Sequence, residues 1–282
     1  MTPDRETRNR LSADPRSTAE LIRLALDASD EDAAWKFISV LEARSDREAL
    51  DAALELTRSS ENPRRKLGAH ILGQLGTPGK GFPDLAFDGL AALLKTEKND
   101  EVLASIAFAL GHLDDARCLE LLLSLKNHPS AGVRFGVVNG ISGQSHPAAI
   151  QTLIELSRDS DRETRDWATF GLGTFIDADS PEIRDALADR LDDDCEETVN
   201  EAMVGLARRR DPRALEPLIE ALSVDEPEPI HIEAAMAMGN PKLLPALQAI
   251  KRRLVDHFSS EAEYLDKAIA SCGEVGTEGL RD

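Results

Sequence analysis

One pattern recurs along this chain and narrows its possible folds more than any other feature. It is a short apolar stretch studded with small residues that closes on Leu-Gly or a near variant. Ala104-Ser105-Ile106-Ala107-Phe108-Ala109-Leu110-Gly111 is the clearest copy. Ala69-His70-Ile71-Leu72-Gly73, Asn139-Gly140-Ile141-Ser142, Trp167-Ala168-Thr169-Phe170-Gly171-Leu172-Gly173, Gly205-Leu206-Ala207 and Ala237-Met238-Gly239 follow the same plan. The closing positions Gly73, Gly111, Ser142, Gly173, Ala207 and Gly239 lie 38, 31, 31, 34 and 32 residues apart, and Glu42 and Ser271 extend the series by 31 and 32 at its two ends. A period in the thirties marks a chain built from repeated supersecondary units, each packing only on its neighbours. The closing glycine is expected to end its helix in the left-handed conformation. The small residues two positions earlier (Ala109, Gly140, Gly171, Gly205, Ala237) are expected to let a neighbouring helix approach closely.

Between these stretches lie segments with apolar spacing of three and four, such as Leu119-Leu122-Leu125, Ile183-Leu187-Leu191 and Leu215-Leu218-Leu222. Each reads as an amphipathic helix of about three turns. Pro147, Pro181, Pro212 and Pro241 stand where such helices would begin, and a first-turn proline sacrifices no hydrogen bond. Each unit is therefore helix A, turn, helix B and link, and stacking the pairs buries both apolar stripes. The expected fold is all-α, a right-handed α-α superhelix of about eight helical hairpins, the outer two degenerate. Residues 1–16 are polar and expected to be a flexible N-terminal segment, with a single solenoid over 17–282. The run Thr77-Pro78-Gly79-Lys80-Gly81-Phe82-Pro83 accounts for the long 38-residue spacing and is expected to be an exposed loop.

Charge separates the possible partners. The chain carries 33 basic and 52 acidic residues, a formal net charge of -19, which repels phosphate backbones and anionic lipid and attracts a basic protein. Cys118, Cys195 and Cys272 are far apart and odd in number, which argues against a disulfide framework and for a reducing compartment. The N-terminus lacks the apolar core of a signal peptide, and no run approaches the roughly 18 apolar residues of a membrane span. The expectation is a cytoplasmic monomer that binds neither nucleic acid nor membrane.

The repeated pattern resembles the HEAT family, in particular its bacterial branch named after phycobilisome lyases. That family joins a β-branched residue to an arginine ahead of the small residues. Val133-Arg134 and Thr164-Arg165 match best, while Leu103, Val199 and His231 replace the arginine elsewhere. A narrower resemblance links Arg64-Arg65-Lys66-Leu67-Gly68-Ala69-His70-Ile71-Leu72-Gly73-Gln74, Asp166-Trp167-Ala168-Thr169-Phe170, Ile183-Arg184-Asp185 and Ile232-Glu233-Ala234-Ala235 to enterobacterial HEAT proteins encoded beside Rhs polymorphic-toxin genes. Those neighbours are regarded as immunity proteins, so this resemblance implies neutralisation of a cognate toxin domain.

Enzymatic readings meet specific obstacles. None of the six histidines is followed by Glu, whereas HEAT-type deoxyhypusine hydroxylases hold iron with repeated His-Glu pairs. His231 and Glu233 are two apart and cannot share a helical face, so His231 reads as a helix-start residue. HEAT-like alkylpurine DNA glycosylases need a basic face that this acidic chain lacks. Arg208-Arg209-Arg210 and Lys251-Arg252-Arg253 suit helix C-termini. Asp192-Asp193-Asp194-Cys195-Glu196-Glu197 lacks the order of a calcium loop and suits the start of a B helix. No phosphate loop, nucleophile elbow or zinc spacing is present. No catalytic residue, cofactor or metal is expected. The alternative to a protein-binding role is a bilin lyase or chaperone, or a general regulatory scaffold.

In HEAT solenoids the B helices line the concave face. The ridge away from the Leu/Ile core runs through Lys66 and His70, Phe108 and His112, Phe135 and Asn139, Asp166 and Phe170, Asn200 and Val204, then Ile232 and Met236. The chain has only eight Phe and two Trp, and Phe108, Phe135, Trp167 and Phe170 gather mid-ridge, as an interaction hot spot does. The expected partner surface is His70, Phe108, Phe135, Asn139, Asp166, Trp167, Phe170, Asn200 and Met236. Arg134 and Arg165 are expected to be structural, pairing with acids of adjacent units.

Overall fold

Local signals set the helix boundaries. Asp30, Asp46, Asn99, Asp161 and Ser180 each accept a hydrogen bond from the backbone N–H three residues on, which satisfies a donor the first turn leaves bare. Pro147 and Pro181 open their helices, and Pro212 and Pro241 open 3-10 turns that lead into theirs. The computed structural model describes residues 5–77, 79, 81–113, 115–253 and 260–273, and every regular element in them is helical. The fold is an α solenoid.

The chain divides by packing into two compact units, residues 1–141 and 142–282. In the first, α1 (Arg5–Ser12) precedes four hairpins: α2 (Thr18–Leu26) with α3 (Glu31–Arg44), α4 (Arg47–Leu56) with α5 (Asn62–Leu75), α6 (Pro83–Leu94) with α7 (Asp100–His112), and α8 (Ala116–Ser124) with α9 (Ala131–Ile141). The second also holds four: α10 (Pro147–Leu156) with α11 (Arg162–Phe170), α12 (Pro181–Ala188) with α13 (Glu196–Arg208), α14 (Leu215–Ser223) with α15 (Pro229–Met238), and α16 (Leu244–Arg253) with α17 (Ser260–Gly273). Within the segment expected to be flexible, Arg5–Ser12 lie in α1 against α3, and residues 1–4 fall outside the described set. In the expected exposed loop, Gly79 is exposed with φ 82° and Gly81 is exposed, while Pro78 and Lys80 are outside the described residues.

The core of each unit is aliphatic and drawn from both helices of each hairpin. Leu50, Leu72, Leu90, Ile106, Leu122 and Ile141 are fully buried in the first, and Leu153, Leu172, Leu187, Leu206, Leu218 and Leu247 in the second. Neighbouring B helices pack directly on one another, α5 on α7 and α7 on α9, then α11 on α13 and α13 on α15.

The closing glycines correct one expectation. Gly73 and Gly111 lie inside their helices, and only Gly239 among the closing glycines takes the left-handed cap, at φ 59°. What the others permit is backbone contact between B helices. A Cβ on Gly73 would stand 2.8 Å from Ala109 Cα, one on Gly111 2.5 Å from Gly140 Cα, and one on Gly173 2.8 Å from the Glu201 carbonyl oxygen and 3.3 Å from Gly205 Cα. The closing glycine of one hairpin thus meets the small residue two before the closing position of the next.

Family-pattern arginines brace the hairpins. Nη1 of Arg65, Arg134 and Arg165 each donates to the carbonyl six residues earlier, on Ser59, His128 and Asp159, at 3.1, 2.9 and 3.0 Å. Arg165 also pairs with Asp193 and Asp194 of the following hairpin, and Arg65 pairs with Glu97 at 2.7 Å. Asp193, from the acidic run, sits before α13 and also takes Arg190. Arg209 donates to the carbonyls of Leu172, Ile176 and Gly205 at helix ends, as the dipole argument anticipates.

Candidate functional site

The expected surface residues fall into two groups, one in each unit, and the backbone treats them differently.

In the first unit the rings are tucked between helices. His70 on α5 packs edge-on against Trp35 of α3, with ring centroids 5.2 Å apart. The Ser105 hydroxyl donates to the Glu101 carbonyl at 2.9 Å, so His70 Nε2, 3.3 Å from Ser105 Oγ, is the donor to that oxygen. Burial, helped by the Lys66 ammonium, pushes the His70 pKa down to about 4 and keeps the imidazole neutral. Phe108 and Phe135 meet edge to face across α7 and α9 at 5.6 Å, and Asn139 Nδ2 donates to the Phe135 carbonyl at 3.1 Å. His70, Phe108, Phe135 and Asn139 are all half-buried. Two open hollows of about 250 and 260 Å³ share Glu31, Lys66 and His70.

In the second unit the rings face out. Trp167 and Phe170 lie one turn apart on α11, with centroids 5.7 Å apart. The helix then widens into a π-turn, Gly171–Phe175, in which Ile176 N–H donates to Gly171 O at 3.2 Å. In an α-helix, residues five apart point about 140° away from each other. A π-turn closes over five residues, so Phe175 comes round above Phe170, at 4.8 Å between centroids. Trp167 and Phe175 remain 37% and 50% exposed, and Phe170 is half-buried against both. Phe175 was outside the expected surface. The Gly-Leu-Gly ahead of it reads in sequence as a helix end, and no local signal distinguishes that from a widened turn.

Two carboxylates, Asp166 on α11 and Glu201 on α13, lie on helices that pack together. Asp166 accepts the Thr198 hydroxyl at 3.1 Å, and burial raises its pKa. Glu201 on α13 is pushed up to about 7 by burial and by Asp166, against the opposing hydrogen bond of the Thr174 hydroxyl. Further along, Asn200 is engaged inside the unit. His231 Nε2 is 3.0 Å from Asn200 Oδ1 and donates to it, and burial lowers the His231 pKa. His231 lies in the first turn of α15, the helix-start position expected for it. Val204 is buried, while Met236 is half-buried. The structure therefore brings Trp167 and Phe170 together with Phe175, sets Asp166 near Glu201, and gives Asn200 an internal partner.

Chemically this surface is suited to binding. The Ser105 proton is engaged with a carbonyl, so the Ser105–His70 pair has no free proton path for nucleophilic attack. Cys118, Cys195 and Cys272 are buried free thiols, and burial pushes Cys118 up to about 12. Among the described residues no group of three His, Cys, Asp or Glu is placed to hold a metal, and no helix is long and apolar enough to cross a membrane.

The stacked hairpins, glycine seams and bracing arginines define a repeat protein, and the family model for HEAT repeats matches residues 87–173 and 152–239. The chain belongs to the HEAT-repeat family. It is similar to protein YibA of Escherichia coli K12, with 30% identity over 224 residues, 77% of this chain and 79% of YibA. An X-ray structure of the E. coli YibA protein superposes with a TM-score of 0.74 at 26% identity, covering 97% of this chain and 98% of that one. An engineered protein shares the fold at a TM-score of 0.51 and 16% identity, covering 96% of this chain and 89% of its own.

Proposed function

We propose that this chain is a non-enzymatic protein-binding HEAT module, and that it neutralises a basic toxin domain by capturing it on the aromatic stripe of the second unit. The carrying observation is that stripe: Trp167, Phe170 and Phe175 stacked in series, with the outer two rings exposed on a helix whose core needs neither. Large aromatic side chains at partly desolvated sites supply most of the energy of protein interfaces. The net charge of -19 favours a basic partner and speeds its encounter. The toxin assignment is supported by the resemblance of Arg64–Gln74 and Asp166–Phe170 to proteins encoded beside Rhs toxins. Buried, unpaired cysteines suit a reducing cytoplasm, where the chain would act as a monomer.

The first test is whether a basic toxin domain is encoded beside the gene, and the second is capture and neutralisation of that domain. Trp167→Glu with Phe175→Glu should weaken capture by at least about 30-fold, the scale of a hot-spot loss, and abolish protection of cells expressing the toxin. Helicity and melting temperature should hardly change, because both rings are exposed. Phe170→Glu should also abolish capture, at some cost in stability because that ring is half-buried. Undiminished capture by the double variant would overturn the proposal.

A further inference from the structure

The rings tucked between helices in the first unit leave two hollows beside them, which share a wall made of Glu31, Lys66 and His70. His70 is held by Trp35 and Ser105, and the Lys66 ammonium donates to Glu31 at 2.5 Å, tying α5 to α3. The hollow of about 260 Å³ is largely apolar, lined by Leu26, Ala34, Trp35, Pro63 and Leu67 from α2, α3 and α5. The hollow of about 250 Å³ reaches α7 and the start of α9, where Phe108, Asp100, Glu101 and Ser130 line it. The charge around the pair is one-sided. Asp30, Glu31, Asp100 and Glu101 face Lys66 as the one lining cation, and Glu31 already holds that ammonium. Asp30 is engaged in capping α3. Asp100 and Glu101 are exposed, and their carboxylates have no ion pair or hydrogen bond among the described residues.

We propose that the two hollows form one docking groove for an extended segment of a basic protein partner, which sets a leucine-sized aliphatic side chain against Trp35 and a lysine two residues away at Asp100 and Glu101. This groove is in the first unit and does not depend on the aromatic stripe of the second, so either surface can fail alone. Side chains two apart on an extended strand point the same way, roughly 7 Å from each other, so one strand can fill adjoining hollows while the residue between them faces water. The apolar hollow is pre-formed, because His70 already holds the indole of Trp35, and little side-chain freedom is lost when it is filled. In the other hollow the aliphatic stem of a lysine covers Phe108 while its ammonium stays with the exposed carboxylates. The engagement of Lys66 with Glu31 leaves the charge of Asp100 and Glu101 for an incoming cation.

The probe is the peptide acetyl-Gly-Leu-Gly-Lys-Gly-amide, titrated to about 10 mM into the full chain while the indole N–H resonances of Trp35 and Trp167 are followed by NMR. The Trp35 signal should shift saturably and the Trp167 signal should stay in place. Glutamate in place of the peptide's lysine should weaken binding by at least about tenfold, and glycine in place of its leucine by at least about fivefold. Asp100→Asn combined with Glu101→Gln should cut the preference for lysine over glutamate by at least about fivefold, with the Trp35 shift retained. Ala34→Leu, which fills the apolar hollow, should abolish that shift. Should Ala34→Leu fail to fold, the glycine peptide tests the same contact. The groove is overturned by the absence of a saturable Trp35 shift, by undiminished binding of the glycine peptide, or by an unchanged lysine preference in the doubly substituted chain.

Discussion

The two units use the same hairpin, the same small-residue seam and the same ridge, yet they present their aromatic side chains in opposite ways. In residues 1–141, Trp35 leans on His70 and Phe108 on Phe135, each ring half sunk between neighbouring helices. In residues 142–282, Trp167 and Phe175 flank a half-buried Phe170 at one helix end and remain 37% and 50% exposed. The difference lies in the backbone rather than in residue type, since phenylalanine fills both settings. Phe108 finds its neighbour across the seam, whereas Phe175, carried round by the π-turn, finds Phe170 along its own chain segment and stays 50% exposed. Ridge composition alone therefore does not identify an interaction surface in a repeat protein. The local helical pitch decides which rings are spent on packing.

That contrast can be broken at its foundation first. If the units are the same scaffold with different faces, their braces must be worth the same. Arg65→Ala takes the guanidinium from Glu97 and Arg165→Ala one of the two from Asp193, each carboxylate only 3% exposed. Each variant should lose about 3 kcal/mol of unfolding free energy by denaturant titration. A large cost in one unit and none in the other would show that the scaffolds are not equivalent. The Arg65 guanidinium holds Glu97 down at about 2, well below the usual carboxylate range. Its share of stability is complete above pH 4.5 and is lost as pH falls towards 2.

The contrast is sharpened by the rings themselves. Phe108→Ala should cost about 2–3 kcal/mol, because the ring is half-buried between α7 and α9, whereas Phe175→Ala, which loses its edge contact with Phe170 at a 50% exposed site, should cost about 1 kcal/mol. Equal costs would mean that Phe175 is a packing residue and that the second unit has no open face. A comparably small effect belongs to Glu201. Its pKa is raised, so the native state keeps a proton that the unfolded state has already released, and stability declines as pH rises from about 4.5 to 7. Glu201→Gln should therefore raise the melting temperature at pH 8 by about 2–4 °C and leave it unchanged at pH 4. An unchanged melting temperature at pH 8 would mean that Glu201 carries no burial penalty.

Much of the scaffold can be read from residue spacing. The recurrence of Gly73, Gly111, Ser142, Gly173, Ala207 and Gly239 indicated about eight hairpins, and the helices pair as eight. Proline at the A-helix starts, arginine at the braces and the acidic run ahead of α13 also took their expected places. These features follow from short-range rules and from a core that repeats. The glycines were legible as important but not in their role, because a helix end and a helix contact both ask for a missing side chain. The proposed surface was half legible. Asp166, Trp167 and Phe170 came from ridge counting. Phe175 could not, since its place depends on a change of helical pitch. Asn200 was placed on the correct helix, but its bond to His231 is a tertiary fact that spacing does not encode.

The π-turn has one further consequence. Proteins usually accommodate a gained or lost residue in a loop, where nothing downstream depends on phase. Here the surplus residue lies within a helix and is absorbed before Ile176, which is again buried. Losing the Thr174 codon would leave the hydrophobic interior in step while rotating Phe175 off the surface. A family member could thus acquire or discard an adhesive face by a change of length alone, with every residue of its interior unaltered.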